Sequence, residues 1–356
     1  MNKARVIAFY LPQYHPIPEN DKYWGKGFTE WTNVAKAKPL FRGHYQPHIP
    51  ADLGFYDLRL PEVREAQAEL ARDAGIEGFC YYHYWFGNGK MLLQKPFEEV
   101  LRLGKPDFPF CLCWANHDWT TKTWVKGSSM VNNTMIAQQE YLGEQDDIKH
   151  FEYCLRAFKD HRYITIEGKP IFLIYDPLSF PNVKEFMNRW NFLAKKNNLK
   201  GIYFIGVTTG RQSSYKIVTN LGFDGVCHNR RWEAEAKAAG FRFVRRMQSL
   251  LGWHLGISLM KYDYNKVVRN YDTPENKLEN CYPVITPGFD RTPRAGRRAG
   301  IYVNSSPKNF KKHVAEVCKS IQDKDDDHRL VFLSAWNEWS LARSPQAAII
   351  TMSASA

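Results

Sequence analysis

The chain has 356 residues, of which 44% are hydrophobic and 24% charged, enough for one large domain or two ordinary ones. Lysine and arginine total 49 against 37 aspartate and glutamate, and the resulting net charge of +12 favours anionic partners. The sequence contains no basic run typical of nucleic-acid binding, so we expect no nucleic-acid partner. The same charge is compatible with peripheral association with an anionic membrane surface, and nothing in the composition indicates an oligomeric state.

The cysteines and the apolar segments indicate the cellular compartment. The seven cysteines are odd in number and include no Cys-x-x-Cys pair, which argues against a disulfide framework or a zinc site. The apolar stretch at residues 6–11 ends at Pro12 and is too short for a signal peptide. No segment approaches the roughly 20 apolar residues of a membrane span. We therefore expect a cytoplasmic protein.

Short apolar runs alternate with segments of helical spacing along the chain. The runs are residues 5–14, 76–86, 108–116, 170–176, 201–208, 222–229, 282–290 and 330–339. The helical segments are residues 60–74, 96–103, 144–160, 182–196, 213–221, 234–251 and 307–321. Strict alternation of this kind favours a closed (β/α)8 TIM barrel over an open doubly wound sheet.

Two segments depart from this regular pattern. Residues 14–61 are too long for an ordinary βα loop, so we expect an excursion over the active face of the barrel. Residues 340–356 show no convincing amphipathic period, so we expect the final helix to be missing or altered. Because no internal repeat or low-complexity linker interrupts the rest, residues 1–339 are predicted to form a single catalytic barrel followed by an atypical tail.

The strand ends carry the residues expected of a sugar site. In a TIM barrel, reactive groups gather where strands end and βα loops begin. Aromatic rings stack on sugar faces, and Asn, His and carboxylate groups bind hydroxyls. The predicted substrate-binding residues are Tyr14, Glu30, Trp31, Tyr45, Gln46, His48, Tyr82, His83, Tyr84, Trp85, Trp114, Asn116, His117, Trp119, Asp176, Arg230, Arg231, Asp290, Arg294, Trp336, Asn337 and Trp339.

Carboxylates decide whether such a site can break a glycosidic bond. Cleavage needs one acid to protonate the leaving oxygen and a second carboxylate that acts as base or nucleophile. Glu338 is the first candidate because it lies between two tryptophans, and Asp118 is the second. The reserve carboxylates are Asp176, Asp290 and Glu30. For each of them a structural role, holding an arginine or a loop backbone, stays open beside the catalytic one.

Other catalytic chemistries find little support. Several histidines lie near strand ends, but no His-x-x-x-His pair on a helix and no compact carboxylate cluster accompanies them. The chain has no Gly-x-Ser-x-Gly elbow and no glycine-rich phosphate loop. We predict neither a metal nor a cofactor.

Arginines cluster after the sixth and seventh runs. They are Arg230, Arg231, Arg291, Arg294, Arg297 and Arg298. Arginine binds phosphate and carboxylate groups through two parallel hydrogen bonds. One interpretation is an anionic substrate, such as an acidic polysaccharide or a lipid-linked sugar phosphate; the other is a solvated basic loop.

Seven ordered motifs lie between residues 5 and 339: AFYLPQYH at 8–15, WGKGFTEWT at 24–32, HYQPH at 44–48, YYHYW at 81–85, WAN at 114–116, TPGFD at 286–290 and WNEW at 336–339. These motifs resemble those of the WbsX-type proteins of bacterial polysaccharide loci. That family is similar to glycoside hydrolase family 99, the endo-α-mannosidases. The resemblance implies a (β/α)8 barrel that acts on a bacterial surface polysaccharide or an α-mannose-containing glycan, or alternatively a glycosyltransferase of lipopolysaccharide, O-antigen or capsule synthesis.

The resemblance also implies roles for two positions. In the hydrolase family, the glutamate of the Asn-Glu-Trp motif is understood to deprotonate the sugar 2-hydroxyl, and a second glutamate three residues later serves as general acid and base. The first position is Glu338 here, and the second is Leu341, which cannot transfer a proton. A catalytically impaired glycan-binding protein is therefore a further alternative.

Overall fold

The protein folds as a closed barrel of parallel strands in the computed structural model, which describes residues 3–121, 134–210, 212–240, 246–247, 250–251 and 260–341. The barrel strands are β1 Arg5–Tyr10, β2 Gly78–Trp85, β3 Phe110–Trp114, β4 Lys169–Ile174, β5 Tyr203–Val207, β6 Gly225–His228, β7 Cys281–Ile285 and β8 Leu330–Leu333. Each strand pairs in parallel with its neighbour, and β1 pairs with both β2 and β8. The predicted (β/α)8 TIM barrel is confirmed, and every predicted run overlaps one strand.

Helices occupy the connections between the strands. They are α1 Pro18–Trp24, α2 Glu30–Ala35, α3 Pro61–Asp73, α4 Lys95–Leu103, α5 Glu144–Phe158, α6 Val183–Lys196, α7 Tyr215–Asn220, α8 Arg231–Ala238, α9 Tyr264–Val268, α10 Thr292–Ala295 and α11 Pro307–Ser320. The helix predicted at residues 234–251 is observed only as α8, because most of the remaining segment lies outside the described residues. The other predicted helical segments each contain one helix.

The helices form where the sequence offers an apolar face and a start signal. In α5, buried residues at 150, 151, 154, 157 and 158 lie one turn apart and face the barrel. Helices α3 and α11 begin with proline, whose missing N–H is not needed in the first turn. The Ser306 hydroxyl also accepts a hydrogen bond from the Asn309 N–H and caps α11.

Several short elements were not predicted. Met260–Asp263 pairs in parallel with Gly300–Val303 as a small separate sheet. Trp119–Thr120 pairs with Met135–Ala137, and Met91–Leu92 pairs antiparallel with the end of β2. None of these strands is a fully buried apolar run, as the equally short β6 and β8 are, which explains why the apolar pattern did not reveal them.

The excursion at residues 14–61 packs against the loop that follows β8. The Trp31 ring lies 4.7 Å from Tyr14, 4.9 Å from Tyr56 and 5.6 Å from Trp339, measured between ring centroids. The Trp339 indole N–H donates to the Tyr56 hydroxyl at 3.0 Å. These contacts place the excursion directly behind the loop that carries Glu338.

The end of the chain is described as far as residue 341. After β8 the structure shows a loop and a single 3₁₀ turn, Trp339–Leu341. Residues 342–356 of the predicted atypical tail lie outside the described residues, so the expected loss of the final helix stays a prediction. Within the part of the chain that the structure describes, no helix is both long and apolar enough to cross a bilayer.

Candidate active site

A cavity of about 290 Å³ lies at the carboxyl ends of the barrel strands, and residues on or after all eight strands line it. Its lining residues are Phe9, Leu11, Gln13, Tyr82, Tyr84, Ala115, His117, Asp118, Trp119, Thr120, Tyr175, Val207, Thr209, Asn229, Arg231, Trp232, Arg291, Arg294, Ser334, Glu338 and Leu341. This is the end of a TIM barrel at which active sites are built.

Glu338 lies in the cavity wall on a loop whose backbone is held at several points. The Trp336 N–H donates to the Phe9 carbonyl at 2.8 Å. The Asn337 side chain accepts from the Leu11 N–H at 2.7 Å and donates to the Leu11 carbonyl at 2.9 Å. The Tyr14 hydroxyl donates to the Asn337 carbonyl and accepts from the Trp339 N–H. Glu338 itself is 7% exposed. Because these hydrogen bonds fix the loop, they hold Glu338 rigidly at the cavity wall.

A buried ion pair interacts electrostatically with Glu338. Glu30, which is fully buried at the start of α2, pairs with the Arg294 guanidinium. Burial raises the pKa of Glu30, Arg294 opposes that shift, and Glu338 adds to it. Because the negative charges of Glu30 and Glu338 also act to raise the pKa of Arg294, the guanidinium lies within electrostatic reach of both carboxylates. Glu30 is a support for Arg294 in this arrangement, and it does not line the cavity.

Asp118 is the other carboxylate that lines the cavity, and it lies at the exposed rim after β3. One of its oxygens accepts the backbone N–H of Gln139 at 2.8 Å. This hydrogen bond fixes the loop and leaves the second oxygen of the carboxylate for other partners. The structure thus brings both catalytic candidates, Glu338 and Asp118, to one cavity.

Aromatic side chains form one wall of the cavity. The Tyr84 ring lies 5.0 Å from Trp119, and Phe9 stacks on Tyr82 at 5.5 Å. Burial and the nearby charge of Glu338 raise the pKa of Tyr84, so its hydroxyl stays protonated and can donate a hydrogen bond. Rings with hydroxyl and indole N–H groups beside a carboxylate suit a bound sugar.

Three arginines line the same cavity: Arg231, Arg291 and Arg294. The Arg231 guanidinium lies over the rings of Trp232 and Phe289, 4.6 Å from each centroid. Arg230, its neighbour in sequence, pairs with Glu233 and does not line the cavity. The predicted arginine cluster therefore contributes only part of its members to the site.

Comparison with known families identifies the chain's relatives. A family model described as glycosyltransferase WbsX matches residues 6–344. The chain belongs to the WbsX family. The predicted resemblance is confirmed.

Two curated relatives are similar over most of this WbsX chain. Both are described as uncharacterized protein WxcX, from Xanthomonas campestris pv. campestris strains B100 and ATCC 33913. Each is 34% identical over 338 residues, which is 95% of this chain and 46% of the relative. The chain thus spans about half the length of the curated relatives it matches.

Solved structures share the barrel at low sequence identity. One is the GH99 endo-α-mannosidase from Bacteroides thetaiotaomicron in complex with bis-tris-propane, with a TM-score of 0.56 and 15% identity, covering 97% of this chain and 87% of the other. Another is described as a glycoside hydrolase-like protein, with a TM-score of 0.57, 16% identity and the same coverage of the two chains. At this identity the likeness establishes the fold.

Leu341 of this WbsX chain lines the cavity near the end of the 3₁₀ turn that follows Glu338. It is 7% exposed and packs in an apolar cluster with Phe289 and Tyr264. Its carbonyl accepts the Asp290 N–H at 2.8 Å. An apolar side chain therefore occupies the position that holds the second glutamate in the resembled hydrolases.

Three predicted sugar-binding residues, His83, Trp85 and Trp114, lie outside the cavity, and this corrects their expected placement. Successive side chains of a strand point to opposite faces, so Tyr82 and Tyr84 face the cavity while His83 and Trp85 face the helices. Trp85 stacks on His150 of α5 at 4.6 Å. Trp114 packs on Phe186 of α6 at 5.6 Å. These rings fill the layer between barrel and helices.

A second group of predicted residues holds loops together and does not line the cavity. The Asn116 amide donates to the Asp176 carbonyl and accepts the Asp176 N–H, and the Asp176 side chain accepts the Ser179 hydroxyl. Trp336 packs on Phe79 at 5.4 Å. The remaining members, whose contacts are given above, are Tyr14, Trp31, Asn337 and Trp339. Their polar and aromatic groups are already used by the protein itself.

Asp290 is the centre of another internal network. It accepts hydrogen bonds from the His44 Nε2 and the Gln46 side chain, each at 2.7 Å. Its second oxygen accepts the Thr292 N–H at 2.8 Å. His48 and Tyr45 contact each other with ring centroids 4.9 Å apart, and Tyr45 is exposed. Within the HYQPH motif, His44 and Gln46 thus bind Asp290, whereas Tyr45 and His48 contact each other.

Several lining residues were absent from the predicted site. They include Phe9, Gln13, Thr209, Asn229 and Trp232. Alternation along β1 offers the missing signal, because Phe9, Leu11 and Gln13 are every second residue and all reach the cavity. The same rule excludes His83 and Trp85.

A cluster of potential metal ligands lies outside the cavity, among the described residues. His83, His150 and Cys154 place their ligand atoms within 4.8 Å of one another, all buried. The two imidazoles are hydrogen-bonded, Nε2 to Nε2, at 2.8 Å. Burial lowers the pKa of both histidines, to about 3 for His83, so the pair is neutral with one ring donating to the other. This hydrogen bond uses the Nε2 atom of each ring.

Proposed function

We propose that this chain is a carbohydrate-active enzyme that cleaves or transfers glycosidic bonds, with Glu338 as its base. The supporting observation is that Glu338 shares one cavity with Asp118 and with the aromatic wall of Tyr82, Tyr84 and Trp119. The loop that carries Glu338 is fixed by hydrogen bonds. The family name and the fold of the GH99 endo-α-mannosidase support the same class of reaction.

The proposed chemistry assigns one proton transfer to Glu338. Its carboxylate removes the proton from a sugar hydroxyl, and the resulting oxygen nucleophile attacks the anomeric carbon as the bond to the leaving oxygen breaks. The leaving oxygen needs a proton in return. Leu341 cannot supply one, so we assign the role of acid to Asp118, the other carboxylate of the cavity.

The proposed substrate is a bacterial surface polysaccharide or an α-mannose-containing glycan. Hydrolysis needs only glycan and water, whereas a glycosyltransferase needs an activated donor. The arginines in the cavity favour a glycosyltransferase, because they suit the phosphate of an activated donor.

The test is to incubate the purified protein with α-mannans and bacterial surface polysaccharides, with and without sugar-nucleotide or lipid-linked donors, and to follow products by mass spectrometry. Oligosaccharides released without a donor would support the hydrolase, and donor-dependent extension would support the transferase. Glycan binding with no product in either condition would leave only the glycan-binding alternative and contradict the proposed catalysis.

A further inference from the structure

The three arginines of the cavity differ in how their charges are balanced. Arg294 pairs with Glu30. The Arg231 Nε lies 3.9 Å from a Glu235 oxygen, beyond hydrogen-bond distance, and Glu235 also accepts the Tyr302 hydroxyl at 3.0 Å. Among the described residues, no carboxylate lies within 4.0 Å of the Arg291 guanidinium. Within the part of the chain that the structure describes, Arg291 therefore brings a positive charge into the cavity without a paired carboxylate.

The surroundings of Arg291 destabilise its positive charge when the cavity holds only water. Arg291 is partly buried, and its pKa is lowered to about 10 by burial and by the nearby charges of Arg294 and Arg231. Desolvation and like-charge repulsion both disfavour the charged form. The attraction of a bound anion would offset both penalties, and a site that keeps such a group is a functional candidate.

Backbone hydrogen bonds fix the position of the Arg291 main chain. Its carbonyl accepts the N–H groups of Arg294 and Ala295 at 3.1 and 3.0 Å as α10 begins. Arg231 is fixed from the other side, because its guanidinium is held over the Trp232 and Phe289 rings. Both guanidinium groups line the cavity from supported backbones, so an anion that contacts both would need little ordering of the site.

We propose that Arg291 and Arg231 form an oxyanion-binding subsite, which takes a carboxylate or phosphate group carried by the sugar that reaches Glu338. The substrate is then an acidic sugar or a sugar phosphate. The statement that this sugar is the enzyme's substrate rests on the proposed function. The oxyanion-binding subsite itself does not rest on it. Asp118 and Glu338 line the same cavity and repel anions, so the two arginines define where the oxyanion sits.

The test measures binding in the full chain without turnover. Inorganic phosphate, D-glucuronate and D-glucose are titrated into the wild-type protein, and the dissociation constants are determined by ligand-observed NMR at constant ionic strength. We expect both anions to bind at least several-fold more tightly than glucose. A preference for phosphate indicates a phosphorylated carrier, and a preference for glucuronate indicates an acidic glycan; either outcome supports the subsite.

Variants assign the binding to the two arginines. Losing a charge-assisted hydrogen bond weakens binding roughly ten-fold or more, so Arg291→Gln and Arg231→Gln should each lose anion affinity to that extent. Arg291→Lys, which keeps the charge, should lose less, and it serves as the test if Arg291→Gln does not fold. The matched control is Arg102→Gln on α4, which removes an exposed arginine far from the cavity lining and should bind like the wild type.

The experiments distinguish a failure of the proposed enzymatic function from a failure of the proposed oxyanion subsite. Glu338→Gln should retain or increase anion affinity, so a protein without enzymatic activity that still binds phosphate through Arg291 would overturn the proposed function alone. Equal anion affinities in wild type and in a folded Arg291→Gln protein would overturn the subsite, as would the absence of anion binding to the wild type.

Discussion

At the residue scale, the carboxylates of this chain separate into those the protein uses itself and those that face the cavity. Asp290, Asp176 and Glu30 hold histidine, serine or arginine partners inside the protein. Glu338 and Asp118 line the cavity. All five were candidates in the sequence, which contains no signal for the pairs Asp290–His44 and Glu30–Arg294 because those partners lie far apart along the chain.

Glu30 offers a direct test of this separation. Glu30→Gln breaks the buried ion pair with Arg294 by removing one partner, which should lower the free energy of unfolding by about 3 kcal/mol. The control is Glu316→Gln, which breaks an exposed pair with Lys312 and should change stability by less than about 0.5 kcal/mol. Chemical denaturation measures both, and similar small losses would show that the Glu30 pair is not a structural support.

At the element scale, Asn337 links the two strands that close the barrel. Its side chain bonds to both backbone groups of Leu11, just after β1, while its own backbone follows β8. Asn337→Ala would leave a buried N–H and a buried carbonyl unpaired. We expect a loss of about 3 kcal/mol in unfolding free energy. We also expect weaker catalysis, because Glu338 is the next residue.

The control for Asn337 is Asn309→Ala, whose side chain makes an exposed hydrogen bond to the Asn304 carbonyl. Thermal unfolding of the two variants should differ clearly. If Asn337→Ala unfolds like the Asn309→Ala protein, then the loop after β8 is held by other contacts, and the account of how Glu338 is positioned is wrong.

The packing of α5 on β2 predicts a dependence of stability on pH. His83 and His150 are kept neutral by burial, with pKa values below those of the unfolded chain. An unfolded histidine takes up a proton near pH 6.5, whereas folded His83 does so only near pH 3. The stabilising contribution is therefore complete above about pH 6.5 and is lost progressively as the pH falls from there towards about 3.

This dependence is measured as unfolding free energy against pH between about 7.5 and 4.5. Each buried neutral histidine should contribute a slope of up to about 1.4 kcal/mol per pH unit below its unfolded pKa. A folded His83→Gln protein should show a shallower slope than wild type, and His161→Gln, which changes an exposed histidine, should not. Parallel curves for His83→Gln and wild type would mean that His83 takes up its proton at the same pH in the folded and the unfolded chain, which contradicts the lowered pKa.

The elements that the sequence predicted are those with a recognisable apolar pattern. The barrel strands are buried apolar runs, and the outer helices carry a regular apolar face. The short sheet of Met260–Asp263 and Gly300–Val303 carries no such signal. Candidate site residues were chosen by type and nearness to strand ends. Applying alternation within β2 as well would have retained Tyr82 and Tyr84 and moved His83 and Trp85 to the helix layer.

At the scale of the whole molecule, barrel closure is what brings distant motifs together. Glu338 follows the last strand, its backbone is held by residues after the first strand, and Asp118 follows the third. The cavity exists only where these ends meet. The fold was predictable from the strand and helix pattern, whereas the pairing of Arg294 with Glu30 and the placement of Arg291 at the cavity depend on three-dimensional contacts.

The most direct test compares product formation by wild type, Glu338→Gln and Glu316→Gln on the glycan, with or without donor, that the wild type converts. Removing a general base typically slows a reaction by a factor of roughly 100 or more, so Glu338→Gln should lose at least that much while melting at the wild-type temperature and still binding glycan. Glu316→Gln should match wild type. A Glu338→Gln protein that forms product at the wild-type rate would contradict the central role given to this carboxylate.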